Sequence, residues 1–119
     1  MGYRSDVTIA MAKVDFEKML ELAKSQFGED SYVYSFIREG KEDAPKCSLP
    51  KYTYLQWLDV KWYDEFDEVI FITNFLREHK NYHLIIIGEE DTDIQDENYI
   101  SDEWLMGIKR EVTFEYAEE

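Results

Sequence analysis

Within its first 28 residues the chain changes its apolar period, and that change restricts the fold more than any other feature. Val7, Ile9 and Met11 alternate with Thr8 and Ala10, so residues 6–12 read as a strand. Phe16, Met19, Leu20, Ala23 and Phe27 then recur at i, i+3, i+4, i+7 and i+11, which is one apolar helix stripe. Asp15 is placed to cap that helix and Gly28 to stop it, giving a helix over 15–27. A strand handing over to an amphipathic helix needs a second layer on which both can bury their apolar sides.

The rest of the chain extends the pattern. Val33, Phe36 and Ile37 have helical spacing, while Tyr32, Val33 and Tyr34 favour a strand. Residues 31–38 are taken as a short helix, with the strand as alternative. Gly40, Pro45, Pro50 and mixed charges make 39–50 a loop. Tyr52 to Trp62 is a long strand, apolar on both faces, which predicts a central place in the sheet. The run Asp64-Glu65-Phe66-Asp67-Glu68 opens a second helix, where carboxylates meet the positive end of the dipole. Val69, Ile72, Phe75 and Leu76 are its buried stripe, and Arg77, His79 and Lys80 close it. His83 to Ile87 is a short buried strand ended by Gly88. From Glu89 to Glu103 there are eight carboxylates and no Lys or Arg, which predicts a solvated loop. Ile108, Arg110, Val112, Phe114 and Tyr116 alternate with Lys109, Glu111, Thr113 and Glu115, a half-buried strand. The predicted fold is α+β: one domain over 1–119, two layers, a four-stranded mixed or antiparallel sheet, and two or three helices on one face.

Charge narrows the function. The chain carries 27 Asp and Glu against 13 Lys and Arg, a formal net charge of −14. Such a surface repels nucleic acid, whose phosphates need Lys and Arg. Anionic membranes are disfavoured for the same reason. Basic protein surfaces are attracted, although acidity also serves solubility alone. At 119 residues the chain buries enough surface to fold without a metal or disulfide staple. Cys47 is the single cysteine, so no internal disulfide forms. The opening MGYRSDVTIAM lacks the shape of a signal peptide, and the longest apolar run, HLIIIG, is too short to span a bilayer. These features predict a cytoplasmic protein.

Motifs for chemistry are missing. Asp91, Asp93, Asp96 and Glu97 resemble a calcium loop, but Asp96 stands where that loop needs Gly and Asp102 where it needs Glu. His79 and His83 straddle a helix end, so they read as a helix-end and a strand-start histidine rather than as a zinc pair. No nucleophile elbow or Gly-rich phosphate loop occurs. We therefore assign no catalytic residue, metal or cofactor, and expect no enzyme. The candidate partner-binding residues are Asp64, Glu65, Asp67 and Glu68 with Glu89, Glu90, Asp91, Asp93, Asp96 and Glu97. Arg4, beside Ser5 and Asp6, either anchors the chain start or binds a small phosphorylated ligand. Arg4, Lys61, Trp62 and Tyr63 converge on such a ligand if the first two long strands pair. Trp57, Trp62, Tyr63 and Phe66 crowd the strand-to-helix junction and belong mostly to the core.

Three blocks carry a resemblance: GYRSDV at Tyr3, Arg4, Ser5, Asp6 and Val7; VKWY at Val60, Lys61, Trp62 and Tyr63, with Val69 following; and IGEE at Ile87, Gly88, Glu89 and Glu90. They resemble a family of small proteins encoded largely by bacteriophages and prophages. Segment 28–51 lies outside the resemblance. The resemblance brings no activity with it. It implies a context, because small phage proteins of this kind often act on host machinery or host defence. The expected function is then inhibition of a basic host protein that binds nucleic acid or serves defence, in the cytoplasm of an infected bacterium, by charge mimicry of nucleic acid. One alternative is sequestration of a small nucleotide immune signal. Another is a structural or assembly role through an edge strand near 108–116 and a homodimer.

Overall fold

The structure, a computed structural model, describes residues 4–44, 51–89, 93–100, 106–109 and 113–116. Along the chain run β1 (Ser5–Ala12), α1 (Lys13–Phe27), α2 (Tyr32–Asp43), β2 (Tyr52–Val60), α3 (Asp67–His79), β3 (Tyr82–Ile87), β4 (Ile94–Asn98), β5 (Met106–Lys109) and β6 (Thr113–Tyr116). The first four strands form one sheet in the order β2-β1-β3-β4, antiparallel throughout. β5 and β6 pair with each other as a separate antiparallel ribbon. The α+β class and the four-stranded antiparallel sheet agree with the sequence pattern.

Strand register decides which side chains meet. Val7 pairs with Trp57 and Ile86, and Ile9 with Leu55 and Leu84, so these residues share one face. They join one buried cluster with Phe16, Met19 and Ala23 of α1, Val33, Phe36 and Ile37 of α2, and Phe71, Ile72, Phe75 and Leu76 of α3, with Ile86 packed at its edge. The opposite face is buried as well: Thr8, Ala10, Tyr54, His83 and Ile85 are all inaccessible.

Local chemistry explains the helix ends. α1 follows β1 with no linker; its N-cap is Ala12, whose side chain offers no bond, and Asp15 lies inside the first turn. The predicted Asp15 cap is thereby corrected. Gly28 closes α1 at φ 96°, a left-handed conformation that favours glycine, and its N–H bonds Lys24 O. Ser31 caps α2: its Oγ accepts from the Tyr34 N–H at 3.2 Å and donates to Gly28 O at 2.7 Å. α3 has Phe66 as N-cap, so Asp64 and Glu65 lie in the turn before the helix while Asp67 and Glu68 fill its first turn.

Four further expectations are corrected. α2 runs on through Gly40 to Asp43, so residues 39–43 are helix, while the 45–50 part of the predicted loop, with Cys47, lies outside the described residues. β2 is an edge strand, not a central one. Its apolar sides are covered by other elements, as when Trp57 Nε1 donates to Phe36 O of α2 at 2.8 Å, and Leu58 is left 62% exposed. The acidic segment 89–103 contains β4, an edge strand rather than loop alone. Charges suit an edge because they oppose pairing with another chain. Finally, residues 108–116 do not form one strand, since β5 ends at Lys109 and β6 begins at Thr113.

Candidate partner-binding face

The candidate carboxylates divide by what holds them. On β4, Asp96 Oδ1 lies 2.7 Å from His83 Nε2, whose ring is buried and whose Nδ1 has no partner among the described residues. Glu97 Oε1 accepts from the Tyr82 hydroxyl at 2.7 Å, and its Oε2 takes the Gln95 amide and stands 3.9 Å from Arg77 Nη2. Burial first, and then the bond to Glu97, push the Tyr82 phenol well above its ordinary range. Glu89 Oε1 accepts from the Arg4 backbone N–H at 2.8 Å. Asp96, Glu97 and Glu89 are therefore fastened to the fold. Asp93 is exposed, and its backbone oxygen accepts from the Gly88 N–H at 2.8 Å. Glu90 and Asp91 lie outside the described residues.

The cationic group partly converges. β1 and β2 do pair, with Ser5 opposite Val60. Arg4 and Lys61 line one cavity of about 360 Å³ with Tyr32, Phe36, Phe66 and Glu68. Trp62 instead packs against the core, its ring 5.7 Å from Trp57 and 6.2 Å from Phe36. Tyr63 rests on Phe66 at 5.1 Å. Neither lines that cavity. Arg4 Nη1 donates to Asp59 O at 3.0 Å, and Asp6 Oδ1 accepts the Asp59 N–H at 2.8 Å. Those bonds hold Asp59 in its left-handed conformation, φ 55°, at the end of β2. Anchoring of the chain is thus what the Arg4–Asp6 cluster does here.

At α3 the carboxylates are differently placed. Asp64, Glu65 and Asp67 are exposed, and Glu68 is buried. Glu65, Asp67 and Glu68 border a trough that sequence reasoning missed. Between α1 and α3, a cavity of about 280 Å³ is lined by Leu22, Phe27, Ile70, Phe71 and Phe75, with Asp67 and Glu78 among its polar residues. It adjoins a pocket lined by Phe27, Tyr32, Phe66, Glu65, Asp67 and Glu68; Phe27 and Asp67 belong to both. Leu22, Phe27, Tyr32 and Ile70 are large apolar or aromatic residues left at least 39% exposed. The available signal was Leu22 and Ile70, apolar residues off the buried stripes of their helices. Neither stripe alone reveals that two helices set them side by side.

Among the described residues, no group of three or more His, Cys, Asp and Glu is arranged to hold a metal. No described helix is long and apolar enough to cross a membrane. His79 stacks on Phe75 at 4.1 Å with Nδ1 2.9 Å from its carbonyl, and His83 faces Asp96, so the two histidines serve different contacts. Comparison of the chain with family models, with curated proteins and with solved structures gives no match.

Proposed function

We propose that this chain is a phage-encoded, non-catalytic accessory protein of the bacterial cytoplasm that binds and inhibits a basic host protein, one that handles nucleic acid or serves defence. The observation that carries the reading is the apolar trough between α1 and α3, bordered by Asp67, Glu78, Glu65 and Glu68. Exposed apolar surface rimmed by charge is typical of protein interfaces, and the sign of this rim selects a basic partner. The net charge of −14 adds long-range attraction. The reading moves the contact from the 89–97 segment to α3, because Glu89, Asp96 and Glu97 already hold intramolecular bonds. Mimicry of nucleic acid then rests on Asp64, Glu65 and Asp67.

Affinity capture from a bacterial lysate tests this. The tagged protein should retain a basic, nucleic-acid-binding partner at about 50 mM salt and release it at about 1 M, where screening shrinks to ~3 Å. A variant carrying Asp64→Lys, Glu65→Lys and Asp67→Lys should lose capture at both. Capture that survives high salt and the triple change rules the reading out.

The runner-up reading is sequestration of a small nucleotide, supported by Arg4 and Lys61 lining one cavity. A cyclic nucleotide bound only by the native state should raise the melting temperature. A panel that leaves it unmoved at millimolar ligand removes that reading.

A further inference from the structure

The trough shares Phe27 and Asp67 with a second, adjoining pocket. Phe27, Tyr32 and Phe66 line it with Glu65, Asp67 and Glu68, and no lysine or arginine among the described residues does. Glu68 is 9% exposed, yet no hydrogen bond or ion pair engages its carboxylate among the described residues. Glu68 lines the pocket beside Tyr32, whose phenol is pushed above its ordinary range by burial first and then by the Glu68 charge. An incoming cation would supply the Glu68 carboxylate with a donor. Aromatic rings add a second attraction, since a cation over a ring face is held by the ring quadrupole.

The shape of the attraction distinguishes two cations. A guanidinium is planar, stacks on aromatic rings and donates through a rigid fork, whereas an ammonium is a compact, strongly hydrated point charge. Three rings beside three carboxylates match the fork. We infer that this pocket receives the guanidinium of an arginine side chain presented by a basic partner protein, with apolar neighbours of that arginine seated between Leu22 and Ile70. The inference rests on the partner-binding reading and names its anchor point. Arg4 and Lys61 line an adjoining cavity that shares Tyr32, Phe66 and Glu68 with this pocket. Neither forms an ion pair with Glu68 among the described residues, and Arg4 Nη1 is committed to Asp59 O.

Titration of the intact, isotope-labelled protein with Nα-acetyl-arginine methylamide, followed by amide NMR, tests this without any partner. Saturable shifts are expected around Phe27, Tyr32 and Phe66, with a midpoint on the order of millimolar. The citrulline analogue, equal in shape and uncharged, should produce none. Glu68→Gln should weaken binding at least tenfold, and Asp67→Asn, at an exposed position, provides a second variant that does not challenge folding. Absent or unsaturable shifts, or equal shifts with citrulline, overturn the pocket. Equal affinity for the lysine analogue overturns the guanidinium assignment. Host-protein capture without arginine binding leaves the face and removes the pocket, and the reverse result separates the two readings the other way.

Discussion

Gly40→Ala is expected to lower the melting temperature by roughly 8–15 °C, against the rule that alanine stabilises a helix interior. Helix propensity alone favours alanine by about 1 kcal/mol. A Cβ at position 40, however, falls on the indole of Trp57, only 2.6 Å from Nε1 and nearer still to two ring carbons. The ring has nowhere simple to go. It stacks on Phe36 with centroids 4.7 Å apart and planes 6° from parallel, and its Nε1 donates to Phe36 O at 2.8 Å. Overpacking costs about 1–3 kcal/mol, and loss of the buried bond about 1–3 more. A net loss near 2–3 kcal/mol, at roughly 4–5 °C each, gives the expected shift. Thermal unfolding followed by tryptophan fluorescence measures it. An unchanged or higher midpoint would mean that the indole shifts at little cost.

A second large effect is expected at Tyr82, and it changes with pH. Tyr82→Phe should cost about 1–2 kcal/mol at pH 8, because the buried bond to Glu97 is lost. The gap to wild type should then close above pH 10. The ordinary tyrosine pKa is about 10, and in the folded state burial, the bond to Glu97 and the charge of Glu97 raise it. Below pH 10 the phenol is protonated in both states. Above it the unfolded chain ionises first, so the stability of the wild type falls as pH rises toward the folded pKa. Phenylalanine cannot ionise. By pH 11 the wild type should have lost about 1.4 kcal/mol that the variant keeps. Denaturant titrations at pH 8 and pH 11 read the two gaps, and a gap that widens with pH would contradict the sign.

The elements that were legible in the sequence are those whose signal is local. Of the predicted stripe Phe16, Met19, Leu20, Ala23 and Phe27, the first, second and fourth are buried and Leu20 half-buried, while Phe27 is 39% exposed at the trough; Val69, Ile72, Phe75 and Leu76 are all buried as their spacing predicts. The elements that were not legible depend on neighbours distant along the chain. β4 reads as solvated loop because its carboxylates look unpartnered, yet the groups that hold them, Tyr82 and His83, come from β3. The sequence ends α2 before Gly40, because the tryptophan that leaves no room for a side chain there comes from β2. The candidate site follows the same division. Asp64, Glu65 and Asp67 stand exposed, as a charged run suggests, whereas the trough beside them exists only where α1 meets α3.

β1 is an interior strand of the sheet, and its two neighbours are β2 and β3. On the ribosome that strand emerges ahead of both. Ile9 must wait for Leu55 on one side and for Leu84 on the other. At about 5–20 residues per second, several seconds pass in which its unpaired edges and apolar side chains are open. α1, which follows without a linker, is the cover nearest along the chain. Assembly of this sheet is thus governed by the last of these strands to be made, and a stalled or truncated chain lacking β3 leaves its own centre exposed to aggregation.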